Sequence, residues 1–210
     1  REIFNRDILN TNGDVLDLWT DAYEVINSCN NVINALDVVV AADQNRVRGE
    51  ALALRAWAHF ELTRMFGQQY EAGIDNTQLA VPLILIPTLA FGDNVDVTRN
   101  TVEECYNQVI TDLTEAESLL PESNDVFINK YTAAALLARV YLQKADYAAA
   151  RDAADRVIAS GDYELNGTYA ECFAQDDPTD EDIFSAENSE LDNSNVMVTY
   201  FAINDFGGRA

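Results

Sequence analysis

Apolar residues return at every third and fourth position in five separate stretches of this chain, and that period confines it to packed helices. In the first stretch, about Val15 to Val38, the stripe is Val15, Leu18, Trp19, Ala22, Ile26, Cys29, Ile33 and Leu36. The second, about Asn45 to Phe66, carries Val47, Ala51, Leu54, Ala58, Leu62, Met65 and Phe66. Gly67 is its expected stop, since glycine accepts the left-handed conformation that ends many helices. The third opens on Thr101-Val102-Glu103-Glu104, the pattern of a capping box in which hydroxyl and carboxylate each satisfy a backbone amide. Its stripe is Val102, Cys105, Tyr106, Val109, Leu113, Ala116 and Leu120, and Pro121 ends it because proline lacks the next donor. A fourth helix is expected over about Lys130 to Lys144. A fifth follows a turn at Ala145-Asp146 and runs from about Tyr147 to Ser160, stopped by Gly161. Trp19, Leu54, Phe60, Tyr106, Leu137 and Tyr141 are the expected buried anchors.

Between the second and third helices, Gln68 to Asn100 holds Gly73, Pro82, Pro87 and Gly92 and does not read as helix. Ordered connections of this length tend to be functional or tied down, and the apolar run Val81 to Ile86 is expected to pin this one to the helical body. After Gly161 the texture becomes polar, with Tyr163, Leu165, Tyr169 and Phe173 as spaced anchors. An acidic loop at Asp176 to Asp182 precedes a short strand expected at Ile183 to Ala186, and Val196 to Phe201 is a second extended candidate. The fold class read from this order is all-α, with helical hairpins under long irregular loops.

The chain has 36 acidic and 13 basic residues, a formal net charge of -23. Phosphate backbones are repelled by such a surface, which excludes nucleic acid as a partner and disfavours anionic lipid. Neutral ligands remain compatible. No stretch approaches the roughly 20 apolar residues that cross a bilayer as a helix, and no signal peptide opens the sequence. The chain reads as a piece of a longer mature protein. Cys29, Cys105 and Cys172 form no CxxC pair and His59 is the single histidine, so neither a zinc site, any other metal nor a cofactor is expected. The acidic loop lacks EF-hand spacing. His59 has no nucleophile near it in sequence, and a glycosidase dyad drawn among so many acids carries no information; no catalytic residue is expected. Arg55 and Arg139 stand among apolar neighbours and are expected to pair, buried or half-buried, with a carboxylate such as Glu50 or Asp112.

Two helix pairs show a tetratricopeptide-like repeat, with Ala138, Tyr141, Tyr147, Ala150 and Ala154 near its signature places. The order of motifs goes further. Trp19-x3-Tyr23-x2-Ile26-x2-Cys29-Asn30, then Gly49-Glu50-Ala51-x2-Leu54-Arg55-Ala56-x3-Phe60-x-Leu62, then Phe66-Gly67 and Val81-Pro82-Leu83 closely resemble the SusD/RagB family. So do Arg99-x-Thr101-x2-Glu104-x-Tyr106-x2-Ile110-x-Asp112-Leu113-x2-Ala116-x3-Leu120-Pro121 and Ala134 to Leu142. Asp146-Tyr147-x2-Ala150, Val157-Ile158-x-Ser160-Gly161-x-Tyr163-x-Leu165 and Ile183-Phe184 complete the set. The resemblance covers about Leu16 to Ala186, and the long insert between Gly67 and Val81 departs from it.

The resemblance implies a tetratricopeptide-like α-α superhelix. It implies that residues 1–210 are the N-terminal helical domain of a longer chain, with a helical body over about 15–161 and an irregular segment over 162–210. It further implies a cell-surface lipoprotein of the outer membrane, with no enzymatic activity. Such a protein captures oligosaccharides or other nutrients and passes them to a TonB-dependent, SusC-like transporter. Membrane contact would run only through a lipid anchor that this segment does not carry. A generic tetratricopeptide scaffold for a protein partner is the alternative. Trp19 is expected in the core, with Trp57 open to either role. Tyr70, Phe91, Tyr200, Phe201 and Arg209 are the candidate ligand-binding residues, Tyr70 and Phe91 on the long connection and the rest near the C-terminal end.

Overall fold

The computed structural model describes residues 9, 11–90, 92–93, 97–172 and 178–185. Five α-helices are present among them: α1 (Gly13–Asn34), α2 (Gln44–Phe66), α3 (Val102–Leu119), α4 (Lys130–Gln143) and α5 (Tyr147–Ile158). Short 3-10 turns cover Leu36–Val38 and Tyr169–Cys172. The only β pairing among the described residues is an isolated bridge between Leu79 and Thr101. The first helix therefore ends a turn earlier than its apolar stripe suggests, with Leu36 carried by the 3-10 turn.

The helix starts are set by short polar side chains. Asn12 Oδ1 accepts from Val15 N at 3.1 Å, Asn129 accepts from Thr132 N at 2.9 Å and Asp146 accepts from Ala149 N at 3.1 Å. At α3 the expected capping box is complete: Glu104 N donates to Thr101 Oγ1 at 3.2 Å, and Thr101 N donates to Glu104 Oε2 at 2.8 Å. Such caps satisfy amides that have no partner within the helix.

Neighbouring helices run antiparallel. Trp19 near the start of α1 meets Phe66 at the end of α2. Gly49 near the start of α2 lies against Leu120 just past α3. Lys144, just past α4, bonds Glu103 at the start of α3. Helix α2 packs on both α1 and α3, α3 also packs on α4, and α4 on α5. One principal core runs through all of them, including Ile26, Leu52, Phe60, Val109, Leu113, Leu137, Val140 and Ala153.

This position of α2 corrects the single stripe read for it. Leu52, Arg55, Ala56, His59, Phe60 and Thr63 are buried, whereas Leu54 is 39% exposed and Met65 58%. A helix clasped on two sides buries two faces, so a one-sided period misassigns its outermost residues. Of the expected anchors, Phe60, Tyr106 and Leu137 are fully buried, while Trp19 and Tyr141 are half-buried against the core. Gly67 ends α2, but its φ of -93° is not left-handed. Its reason is space: a Cβ there would lie 2.6 Å from Thr63 O and 3.0 Å from Ala80 Cβ. Left-handed glycine does follow α5, at Gly161 (φ 72°).

Other expectations fare unevenly. Arg55 pairs with Asp112 deep in the fold, but Arg139 is exposed and only approaches Glu61, at 3.6 Å. It lines a concavity with Trp57, Ile183 and Phe184 at the outer side of α4. Tyr147 is exposed too, and the buried residues of α5 are Ala150, Ala153 and Val157. Tyr163 is an anchor, packed edge-on against Tyr131. Leu165 and Tyr169 are not, at 85% and 82% exposed. Ile183 to Ser185 form no strand; Phe184 instead packs edge-on against Trp57. Phe173, Ala186 and 196–201 lie outside the described residues.

Candidate functional site

The long connection after α2 is held as expected, and the means are polar as well as apolar. Ala80 and Val81 are buried in the principal core. Tyr23 Oη donates to Pro82 O at 2.8 Å. Asn30 Nδ2 donates to Ile84 O at 2.9 Å and to Ile86 O at 3.2 Å. Ile84 N donates to His59 Nε2 at 3.3 Å, and Thr88 N to Asn27 Oδ1 at 2.7 Å. Asp93 then closes a turn by accepting from Leu89 N and Ala90 N.

Beneath this loop lies a buried polar network. Arg55 donates from Nε and Nη2 to the two oxygens of Asp112, both at 2.8 Å, and from Nη1 to Asn30 Oδ1 at 2.9 Å. Gln108 adds a bond to Asp112 at 2.8 Å. The fork-to-fork pairing uses the planar guanidinium in both directions. Three helices and the loop thereby share one set of hydrogen bonds. No buried side-chain nitrogen or oxygen lacks a partner among the described residues.

The loop and α1 enclose a cleft of about 260 Å³, lined by Trp19, Tyr23, Asn27, Pro82, Ile84, Thr88, Asp93 and Val97. Trp19 stands against Tyr23, 5.0 Å between centroids, and edge-on to Phe66 at 4.8 Å. An aromatic wall with a few placed polar groups is the composition that suits a neutral sugar ring. Burial raises the Tyr23 hydroxyl well above its ordinary range, so it stays a neutral donor to Pro82 O. Two other concavities differ in character. A groove of about 560 Å³ between α1 and α2 is walled by Val25, Val32, Val47 and Leu54. A polar cleft of about 320 Å³ is lined by Arg64, Gln68, Gln69, Tyr106 and Gln143.

Tyr70, the one described member of the candidate ligand-binding set, is half-buried. Its ring lies 5.0 Å from that of Tyr106, with Lys144 Nζ 5.3 Å from its centroid. Burial first, and a hydrogen bond to Glu103 second, push its hydroxyl up to about 12. Tyr70 thus underpins the region beside the polar cleft. Phe91, Tyr200, Phe201 and Arg209 lie outside the described residues, so nothing brings the set together. Sequence reasoning passed over Asn27 and Asp93, and it gave Asn30 and His59 no part in holding the connection. Asn30 had a visible signal, an amide beside Cys29 on an otherwise apolar stripe. No group of histidine, cysteine or acidic side chains among the described residues is placed to hold a metal ion, and no described helix is long and apolar enough to cross a membrane.

This architecture has counterparts among known proteins. The profile of a family described as starch-binding and associating with the outer membrane, the SusD-like family, matches residues 2–142. The chain belongs to the SusD-like family. SusD-like protein P38 of Formosa agariphila is 30% identical over 148 residues, which cover 70% of this chain and 27% of that protein. The crystal structure of a SusD superfamily protein from Bacteroides thetaiotaomicron superposes with a TM-score of 0.75 at 33% identity, over 84% of this chain and 39% of that one. A laminarin-binding SusD-like protein superposes with a TM-score of 0.64 at 28% identity, over 74% and 33%. This chain therefore spans about a quarter to two-fifths of the length of these relatives. The expected all-α SusD-like fold is thus found.

Proposed function

We propose that the SusD-like protein to which these residues belong captures neutral oligosaccharides at the cell surface and passes them to a TonB-dependent, SusC-like transporter of the outer membrane. The observation that carries this reading is the family match over 2–142, together with a structural relative named for binding laminarin. A net charge of -23 accords with an uncharged ligand. The protein works by binding, as a lipid-anchored outer-membrane protein, and catalyses no reaction. Residues 1–210 serve as its N-terminal helical domain, with the body over 15–161 and the irregular segment over 162–210.

Within that domain the helices are the platform and the long connection is the part that meets ligand. Tyr70, Phe91, Tyr200, Phe201 and Arg209 remain the proposed contact residues, with Tyr70 contributing from behind Tyr106. A general tetratricopeptide scaffold needs contiguous repeats along a polar groove. Here the 67–101 connection interrupts the helices and folds over them, which favours capture over scaffolding.

The transporter part of this reading is tested by affinity-purifying the tagged full-length protein from detergent-solubilised outer membranes. A co-purifying TonB-dependent barrel is the expected result. Recovery of the protein alone, under conditions that keep other barrel–lipoprotein complexes together, would contradict it.

A further inference from the structure

We propose that His59 is an acid-released clasp: protonation of its Nε2 frees the 81–88 stretch of the long connection from α2 while the helices stay folded. The geometry assigns the ring's tautomer. Ile84 N–H donates to Nε2, so Nδ1 carries the proton and donates to Arg55 O at 3.1 Å. Of the side chains that bond this stretch, only His59 changes role within the ordinary acid range. Tyr23, Asn27 and Asn30 keep their donors and acceptors. A protonated Nε2 would instead present a hydrogen to the Ile84 N–H, turning an attraction into a clash of two donors.

The surroundings give an imidazolium no compensation. On its own helix His59 faces the Arg55 guanidinium. From α3 come Asp112, both of whose oxygens are already bonded to Arg55, and the Cys105 thiol, which burial keeps protonated. From α1 come Tyr23 and Cys29, both held neutral by burial. His59 itself is 1% exposed. Burial, followed by the charge of Arg55, pushes it down to about 4.

A group whose pKa is depressed in the closed form stabilises that form fully above its ordinary value of 6.5, and the contribution is lost as pH falls. Between pH 6.5 and 4 the released form takes up the proton ahead of the closed one, so the clasp equilibrium weakens by up to tenfold per pH unit, about 80-fold over that interval. The helices have an apolar core and the Arg55–Asp112 pair to hold them. Pro82, Ile84 and Thr88, which wall the Trp19 cleft, belong to the stretch that is released. Acid would therefore open that cleft selectively. The inference stands independently of what the cleft binds.

Amide hydrogen exchange on the full-length protein tests it, with peptides over 80–88 and, as internal reference, over 105–116 of α3. After correction for intrinsic rates, protection over 80–88 should fall by well over tenfold, towards about 80-fold, between pH 6.5 and 4 while α3 keeps its own. His59→Gln, which offers an amide that does not titrate, should flatten the profile. A parallel loss in both segments, or an unchanged profile in H59Q, would overturn the proposal. Should H59Q fail to fold, the ring resonances of His59 in the unsubstituted protein decide: a midpoint near 4 to 5 supports the clasp, and one near 6.5 refutes it.

Discussion

Asp112 anchors a chain of buried hydrogen bonds that reaches the long connection. Both its oxygens are committed to Arg55, and Arg55 in turn holds Asn30, whose amide holds the loop. Replacing it leaves a buried guanidinium without a counter-charge, which costs about 3–5 kcal/mol. Asp112→Ala should therefore shift the urea midpoint strongly downward, whereas Arg55→Met combined with Asp112→Leu should recover much of the loss, because two apolar groups need no partner. Leu137→Ala probes the core by a different route. At 2% exposure in the middle of α4, it should cost about 2–5 kcal/mol in the same assay, the range for a leucine cavity that its neighbours refill only in part. That Arg55 pairs with a carboxylate was legible, because an arginine among apolar neighbours needs one, but sequence left Glu50 and Asp112 both open and the same reasoning misplaced the exposed Arg139. The role of His59 was not legible, since its partner Ile84 lies across a loop whose path no local pattern specifies.

At the scale of elements, the close approach of α2 to the end of α3 depends on a missing side chain. A Cβ on Gly49 would lie 2.8 Å from Leu120 Cγ and 3.3 Å from Leu119 Cβ. Gly49→Ala should therefore destabilise by about 1–3 kcal/mol, as overpacking does, even though alanine is the better helix former. Calorimetric melting would show it; a rise in Tm would mean that the two helices can separate without loss. The helices themselves were readable from period and punctuation: the Thr101 capping box, Pro121, the turn at Ala145-Asp146 and the stop at Gly161. What periodicity misread was α2, because two faces are buried and the apolar signal spreads around the helix until Leu54 and Leu52 look alike. The segment after Gly161 was misread for the opposite reason. Its apolar residues are isolated, so nothing in their spacing distinguishes Tyr163, which finds Tyr131, from Leu165, which finds solvent.

At the scale of the whole molecule, an excess of acidic groups opposes the compact state through self-repulsion. Raising the salt concentration from about 10 mM to 0.5 M shortens the Debye length from about 30 Å to a few ångströms. The melting temperature should rise accordingly, and a fall would show that the ion pairs outweigh the repulsion. The family could be recognised because motif order survives along the chain where single motifs do not. The candidate site could not be assembled in the same way: Tyr70 turned out to be packed behind Tyr106, and the other four candidates lie outside the described residues. Capture of neutral oligosaccharides is the central claim, and calorimetric titration tests it most directly, with one panel of oligosaccharides run against the full-length protein and against residues 1–210. We expect saturable binding by the full-length protein and weak or no binding by the shorter chain, whose recognisable residues are spent on packing, caps and turns. Equal affinity for the two would show that these residues form the whole site without the rest of the chain, with Tyr70, Phe91 and Tyr200 the first to replace. No binding of any neutral oligosaccharide by the full-length protein would contradict the account.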